Sequence, residues 1–315
     1  MAMDYEYICA GNVMLDSHDP NPRHGVQEYI GGPATFAYSG IRIWTDKVMQ
    51  VSRVGADYKE LFDPWMERNN VERKGFNVVC DRSNHIWAFG YLYGFSEPPK
   101  EFDEYNNNIF EDFGYLKTNP EEIGKFTEGS HIKGVYLAQN IDRVFWKKLG
   151  EIKKRDGFKM MWEIEGSWTF RQFLDRVRDI CTNYVDVFSI NLSECESLFN
   201  CKGDEECIAG LQSLDVDLTL FRVGERGLYV VTKDDAIYLP PAPGPVVDTF
   251  GCGNSSTGSA LYAYCEGKDP LMIGIMANVA SAKNLAQFGI IPEFDTIRDE
   301  CYRMADELYE KYKKE

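Results

Sequence analysis

The sequence predicts an α/β protein with a mostly parallel central sheet and helices on both of its faces. Short apolar, β-rich runs alternate with amphipathic segments along most of the chain, and two glycines open a run of small residues near its C-terminal end. Such alternation is typical of βαβ units, whose helices cover both faces of a parallel sheet. No internal repeat or linker interrupts it, so a single domain over residues 1–315 is expected.

The predicted strands are the six runs Tyr7–Ala10, Val48–Val51, Gly134–Leu137, Phe158–Trp162, Val185–Ile190 and Leu218–Val223. Amphipathic segments with helical spacing lie between the later runs, namely Val144–Lys154, Phe170–Cys181 and Glu205–Leu214. Three more helices are expected after the glycines, at Ser255–Cys265, Leu271–Phe288 and Asp295–Lys313. In this order of elements, helices form the crossover connections between consecutive parallel strands.

Two regions break the alternation and are expected to form a small β-lid, inserted at about 16–30 and 75–115. The stretch His85–Tyr93 alternates with period two, so one face carries His85 and four aromatic side chains while the other is small and apolar. Such a strand presents its aromatic face either to a ligand or to a buried interface, and both alternatives stay open. The acidic, aromatic stretch Glu97–Tyr115 is expected to form a surface excursion.

Charge and cysteine usage exclude several classes of partner. A net charge of −16 disfavours nucleic acid and anionic membranes, because both would be repelled. The sequence has no charged-then-apolar leader and no run long enough to span a bilayer, so a cytoplasmic protein is expected. Cys195, Cys201 and Cys207 recur every six residues, a spacing that is not typical of zinc ligands, and all nine cysteines are expected to be reduced.

The glycines Gly251 and Gly253 stand between a proline-rich segment and a predicted helix of small residues. Glycines allow backbone N–H groups to turn towards an anion, and the helix adds the positive end of its dipole. A dinucleotide fingerprint is excluded because Ser256 occupies its third glycine position. A P-loop is excluded as well, because Ser259 follows Gly258 where the phosphate-binding lysine would stand. The remaining interpretation is an anion hole of another kind.

The segment Asp248-Thr249-Phe250-Gly251-Cys252-Gly253-Asn254 resembles the C-terminal signature of the PfkB/ribokinase-type carbohydrate kinases, Asp-Thr-x-Gly-Ala-Gly-Asp. The resemblance implies a ribokinase-like fold, an anion hole at Gly251, Cys252 and Gly253, and a monovalent cation such as K⁺ at Asp248 and Thr249. The catalytic base of the family is the final aspartate, and Asn254 stands there in this chain. The resemblance is therefore to a branch of the family with asparagine at this position.

Two further elements resemble the acceptor side of the family. Gly11–Asp16 is similar to the opening strand whose terminal aspartate holds sugar hydroxyls, and a carboxylate accepts two such hydrogen bonds. Gly31-Gly32-Pro33-Ala34-Thr35-Phe36-Ala37 is similar to the first signature, Gly-Gly-x-Pro-Ala-Asn-x-Ala, shortened by one residue. The resemblance implies substrate contacts at Gly31, Gly32 and Thr35, although Thr35 replaces the family's asparagine. Ser52–Asp57 resembles a turn whose role is mainly structural.

Three elements resemble the nucleotide side. Asn191-Leu192-Ser193-Glu194 matches an Asn-x-x-Glu element that orients Mg²⁺-bound waters, and a helix cap is the alternative explanation. Arg222–Gly227, with Gly224 and Gly227, is similar to a Thr-x-Gly-x-x-Gly turn near the nucleotide. Arg222 is either a phosphate ligand or a surface residue paired with Glu225. Asn278 lies on a helix that resembles the one lining the adenine pocket.

The resemblance implies an ATP- and Mg²⁺-dependent kinase that phosphorylates an alcohol group of a sugar or sugar-like molecule. An amide cannot act as a general base, a role typically worth about 10² to 10⁴ in rate. Activity is therefore either reduced or supported by another base, such as Asp16 or a phosphate of the ligand. Two alternatives stay open: a nucleotide- or sugar-binding protein with little turnover, and a nucleoside kinase whose aromatic strand stacks a base. The family also implies a homodimer formed through lid strands. The identity of the substrate is left open.

Overall fold

The computed structural model describes residues 4–18, 27–87 and 116–314, and only the backbone of residues 17–18, 27–28 and 84–87. Of the aromatic stretch His85–Tyr93, the part after residue 87 lies outside the described residues, as does Glu97–Tyr115.

A large sheet runs through the centre of the described chain. Its nine strands are β1 (Tyr7–Ala10), β4 (Val48–Gly55), β5 (Phe76–Cys80), β7 (Gly134–Gln139), β8 (Lys159–Ile164), β9 (Val187–Asn191), β10 (Leu218–Arg222), β11 (Leu228–Val231) and β12 (Ala236–Leu239). Their order is β12-β11-β10-β9-β8-β7-β1-β4-β5. Every pair from β10 to β5 is parallel, whereas β11 is antiparallel to both of its neighbours. The mostly parallel sheet is therefore confirmed.

Helices cover both faces of this sheet. They are α1 (Pro33–Arg42), α2 (Tyr58–Arg68), α3 (Pro120–Thr127), α4 (Arg143–Asp156), α5 (Leu174–Tyr184), α6 (Leu192–Phe199), α7 (Gly203–Gln212), α8 (Cys252–Cys265), α9 (Pro270–Leu285) and α10 (Arg298–Tyr312). Alternate residues of a strand point to opposite faces, so Tyr7 and Cys9 of β1 join one buried core while Ile8 and Ala10 join the other. The first core packs against α1, α2 and α8–α10, and the second against α3–α7.

A second, small sheet contains β2 (Met14–His18), β3 (Gln27–Gly31) and β6 (Asn84–Trp87), in the order β3-β2-β6. β2 is antiparallel to β3 and parallel to β6. This sheet agrees with the predicted β-lid except at its second segment. Residues 76–80, which we expected in the lid, instead form the edge strand β5 of the large sheet. The buried Phe76 ring stacks on Tyr58 of α2, 5.8 Å between centroids, and holds β5 there.

Helices α1 and α8 cross in direct backbone contact. A Cβ atom at Gly40 would overlap the carbonyl oxygen of Ser255, and one at Gly258 would overlap the carbonyl oxygen of Ala37. Only glycine permits this approach, so the small residues at the start of α8 set its distance from α1. The crossing fixes the N-terminus of α8 above the carboxyl ends of the central strands.

Candidate functional site

The candidate site lies at the carboxyl ends of the parallel strands. Asn191 ends β9, Arg222 ends β10, and Glu163 lies one residue before the end of β8. Ligands of open α/β sheets bind at this edge, where loops and helix N-termini converge. Asn191 and Arg222, which were predicted from separate sequence elements, therefore lie at one edge of the sheet.

Gly251 is the N-cap of α8 and has a φ of +70°, in the left-handed region that favours glycine. A Cβ atom there would also overlap the Phe36 ring. The helix begins at Cys252 rather than at Ser255 as predicted, so Cys252, Gly253 and Asn254 form its first turn. The first intrahelical bond runs from Ser255 N to the Gly251 carbonyl, 2.9 Å, so the amides before it are available to an anion.

The Arg222 guanidinium packs against this turn. A Cβ atom at Gly253 would overlap Arg222 Nη1, and Arg222 Nη2 lies 2.8 Å from Glu163 Oε1. The pairing with Glu225 considered from the sequence is wrong, because Arg222 is mostly buried beside Glu163 instead. Its buried Nε has no hydrogen-bond partner among the described residues. A cation with a spare donor therefore lies next to the predicted anion hole.

A chain of polar side chains connects Arg222 to Asn254. Tyr136 donates a hydrogen bond to Glu163 Oε2, 2.7 Å, and its oxygen accepts one from Asn254 Nδ2, 3.4 Å. Burial, reinforced by the Glu163 charge, raises the pKa of Tyr136 well above its ordinary value. Neither Tyr136 nor Glu163 was identified from the sequence. The available signal was a lone glutamate inside the apolar run of β8, since a buried charge requires partners.

A cleft of about 530 Å³ opens beside the Arg222 guanidinium and the first turn of α8. The residues predicted on the nucleotide side that line it are Asn191, Arg222, Gly224, Gly227, Thr249, Cys252, Gly253 and Asn278. The proline-rich segment 241–245 supplies an apolar wall. Asn278 Nδ2 donates to the Pro240 carbonyl, 2.8 Å, and thereby fastens that segment to α9. The cleft combines a polar, cationic end with an apolar wall, as a nucleotide requires.

Asn191 and Glu194 form a capping box at the start of α6. Asn191 Oδ1 accepts from Glu194 N, 3.0 Å, and Glu194 Oε2 accepts from Asn191 N, 2.9 Å. Burial raises the pKa of Glu194 more than the nearby Arg222 lowers it. The cap occupies one carboxylate oxygen and leaves Oε1. A single remaining carboxylate oxygen fits a Mg²⁺ ion that is held mainly by waters and phosphates, with Glu194 as an indirect ligand.

The described residues contain no group of three or more His, Cys, Asp or Glu side chains that could hold a metal ion by themselves. Cys201 Sγ lies 3.5 Å from Cys207 Sγ, and Cys195 lies nearby on α6 with its thiol 3.9 Å from the Cys207 carbonyl. All three are reduced in this structure. In the part of the chain that is described, none of the helices has the length and hydropathy needed to cross a bilayer.

Asp16, Gly31 and Gly32 lie together where the small sheet meets the large one. Asp16 is 4% exposed, its carboxylate accepts from the Gly32 N–H, and a Cβ atom at Gly31 would overlap its Oδ2. Gly32 has a φ of +94°, which again favours glycine. Thr35 is buried and its Oγ1 accepts from Gln50 Nε2, 3.0 Å. The two glycines thus allow the backbone to surround the Asp16 carboxylate.

Asp248 is a second buried carboxylate near Asp16. Its Oδ1 accepts from Phe250 N, 3.1 Å, and its side chain is almost fully buried. Burial in the first place, and the Asp248 charge in the second, raise the pKa of Asp16 from 3.8 to about 7. Two carboxylates held close together fit a bound monovalent cation, which would reduce their repulsion.

A model of the pfkB family carbohydrate kinases matches residues 15–297 of the chain. An uncharacterized sugar kinase of Archaeoglobus fulgidus is 28% identical over 106 residues, which are 33% of this chain and 41% of that protein. The chain thus spans less than half the length of this curated relative in the match.

Solved structures extend the similarity to the whole fold. A putative ribokinase II from E. coli, in complex with ATP and Mg²⁺, superposes with a TM-score of 0.73 at 15% identity, covering 95% of this chain and 99% of that one. The adenosine kinase from Sinorhizobium meliloti gives a TM-score of 0.68 at 15% identity, with coverage of 94% and 99%. These likenesses confirm the predicted ribokinase-like fold.

The raised pKa of Asp16 predicts a pH-dependent cost to stability. A carboxyl group whose folded pKa exceeds its unfolded pKa carries no penalty below about pH 4, and the full penalty above about pH 7. We expect Asp16→Asn to become more stable relative to the native chain as pH rises through this window, by up to about 4 kcal/mol. Urea unfolding at several pH values measures the difference.

The matched control for this prediction is Asp175→Asn, at a fully exposed carboxylate on α5. Because this carboxylate is not buried, the variant should not gain stability over the native chain as pH rises. A stability difference for Asp16→Asn that likewise shows no gain would contradict the raised pKa.

Proposed function

The chain belongs to the pfkB family of carbohydrate kinases, and from this premise we propose that it transfers a phosphoryl group from ATP to an alcohol group of a sugar or sugar-like molecule. The observation that carries the proposal is the first turn of α8, where Cys252 and Gly253 line the cleft together with Arg222 and the Arg222 guanidinium packs against Gly253. Phosphoryl transfer relies on positioning and charge stabilisation, and this turn would supply both.

The nucleotide side of the proposal rests on the cleft. Gly224, Gly227 and Asn278 would surround the adenosine part, and the α8 amides with Arg222 would bind the phosphates. Mg²⁺, when bound through waters to Glu194, neutralises phosphate charge. Asp248 and Thr249 would hold a monovalent cation such as K⁺ beside the anion hole. The similar ribokinase II structure with ATP and Mg²⁺ supports the choice of ligands.

The acceptor side of the proposal rests on Asp16 and its glycines. An ionised Asp16 accepts hydrogen bonds from two hydroxyls, which suits a polyol, and Gly31 and Gly32 would allow the ligand to reach it. Thr35 would support this wall through its bond with Gln50. Asn254 would accept the hydrogen bond of the reacting hydroxyl, and the proton of that hydroxyl would pass to another group, such as Asp16 or a phosphate oxygen of the ligand. The lid strands of the small sheet would close over the acceptor and pair in a homodimer.

A nucleoside is the second candidate acceptor. The adenosine kinase of S. meliloti has the same fold as this chain, and a nucleoside offers the ribose hydroxyls that Asp16 would recognise. The two candidates differ in whether the acceptor carries a base that needs an additional apolar contact.

Thermal-shift titration followed by turnover tests the proposed function. The native chain is titrated with ATP and Mg²⁺, then with panels of sugars, sugar alcohols and nucleosides, because ligand binding raises the melting temperature. Compounds that raise it serve as acceptors in an assay of ADP formation. We expect stabilisation by ATP and acceptor-dependent ADP release. Stabilisation by neither ATP nor any acceptor would contradict the proposal.

Gly253→Ala tests the anion hole. The new Cβ atom would displace the Arg222 guanidinium, so we expect ATP affinity to fall about tenfold or more, the equivalent of one hydrogen bond to a charged group. Titration calorimetry with a non-hydrolysable ATP analogue measures the change. Gly244→Ala is the control, because it lines the same cleft and its Cβ atom would meet nothing closer than 3.7 Å. Equal affinities in the two variants would argue against the site.

Asn254→Asp tests the missing base. Because a carboxylate can take the proton of the acceptor hydroxyl, we expect turnover to rise by up to about 10² to 10⁴ with the acceptor identified above. ATP binding should weaken modestly, since a negative charge is placed beside the phosphates. Steady-state kinetics of the two proteins gives both values. A native turnover that falls in the variant would show that another group acts as the base.

A further inference from the structure

Two donors converge on the buried carboxylate of Glu163, and a third donates to one of them. Arg222 Nη2 lies 2.8 Å from Oε1, the Tyr136 hydroxyl lies 2.7 Å from Oε2, and Asn254 Nδ2 lies 3.4 Å from the Tyr136 oxygen. Tyr136 is fully buried and Glu163 is 5% exposed. The strand register explains the contact, because Ala138 pairs with Glu163 and thus puts Tyr136 and Glu163 on the same face, beneath α8.

The direction of these hydrogen bonds follows from counting protons. Glu163 is paired with a guanidinium, so it is an ionised carboxylate and can only accept. Tyr136 has one proton, which must therefore go to Glu163. Its oxygen can then only accept from Asn254, so the amide NH₂ of Asn254 must face Tyr136. The donors and acceptors of Glu163 and Tyr136 therefore fix the orientation of the Asn254 amide, with its Oδ1 atom turned away from Tyr136.

We propose that Tyr136 and Glu163 are positioning residues of the transfer site, which orient the Asn254 amide so that Oδ1 accepts the hydrogen bond of the acceptor hydroxyl. The proposal rests on the proposed function and adds two residues to it. Glu163 contacts two groups beside the first turn of α8. It accepts from Tyr136, and it also fixes the Arg222 guanidinium against Gly253. One buried carboxylate thus sets the orientation of both the amide and the cation.

Tyr7 provides a matched control on the neighbouring strand β1. Its side chain is also fully buried, and its hydroxyl donates to Glu266 Oε1, 2.6 Å. Glu266 follows the C-terminal end of α8, so this pair lies at the opposite end of the helix from Asn254. Tyr7→Phe and Tyr136→Phe remove the same kind of hydroxyl from the same kind of bond. Only the second should affect Asn254.

The first experiment reads the amide orientation without any turnover. The side-chain NH₂ resonance of Asn254 is assigned in asparagine-labelled protein by its loss in Asn254→Asp. We expect slow hydrogen exchange of this NH₂ group in the native chain, and exchange at least about tenfold faster in Tyr136→Phe, the equivalent of one hydrogen bond. Tyr7→Phe should leave it unchanged. An Asn254 resonance that Tyr136→Phe does not alter would overturn the proposal.

Glu163→Gln offers a second variant with a distinct expectation. The introduced amide can keep its oxygen on Arg222 and donate its NH₂ to Tyr136, which then donates to Asn254. The chain of hydrogen bonds would reverse, and the Asn254 NH₂ would lose its partner. Faster exchange of that NH₂ group, as in Tyr136→Phe, supports the assignment. A native-like rate in the folded variant would contradict it.

Kinetics then separates positioning from a general effect on the fold. Tyr136→Phe should lower kcat about tenfold in the native background. In the Asn254→Asp background the same change should lower kcat less than about twofold, because the two oxygens of a carboxylate are equivalent and need no orientation. Equal losses in both backgrounds would show a merely structural role. If the native chain transfers phosphate to none of the acceptors, the proposed function fails, while the NH₂ exchange still decides the orientation.

Discussion

The ion pair between Glu163 and Arg222 is the interaction on which the site depends. Removing one partner of such a buried pair leaves an uncompensated charge and typically costs about 3–5 kcal/mol. The pair holds the guanidinium where a Cβ atom at position 253 would overlap it, so glycine at 253 leaves the guanidinium room to pack against the turn. Glu163 also accepts a hydrogen bond from the Tyr136 hydroxyl, whose oxygen in turn accepts one from Asn254. One carboxylate on β8 therefore holds two of the groups that contact the first turn of α8, the Arg222 guanidinium and the Tyr136 hydroxyl.

The same edge of the sheet contains more negative charge than stability alone would favour. Asp16 and Asp248 are buried near one another, and Glu163 and Glu194 are both close to Arg222. Burial and mutual repulsion oppose ionisation at Asp16 in particular. The opposing positive charge comes from Arg222 and from the N-terminus of α8, both of which face the cleft. Such an arrangement is typical of sites where charge stabilisation serves ligands rather than folding.

The sequence predicted the central strands well and the site only in part. Residues 7–10 were identified with their correct bounds because both faces of β1 are buried, which gives a continuous apolar run. β5 was placed in the lid because its partly exposed residues carry no such signal, and its position depends on Phe76 packing against a distant helix. Tyr136 and Glu163 were missed because their contact depends on the register between two strands, which spacing along the chain does not reveal.

The structure gives a physical reason why an asparagine can occupy position 254. The residue there faces the Tyr136 oxygen, which has already given its only proton to Glu163 and needs a donor. A carboxylate at this position could take the proton of a hydroxyl but could not donate to Tyr136, whereas an amide donates to Tyr136 and keeps an acceptor for a hydroxyl. The presence of Glu163 and Tyr136 thus makes Asn254 the consistent choice. In the proposed site the negative charge lies on Glu163 of β8, one tyrosine away from the residue that would meet the acceptor.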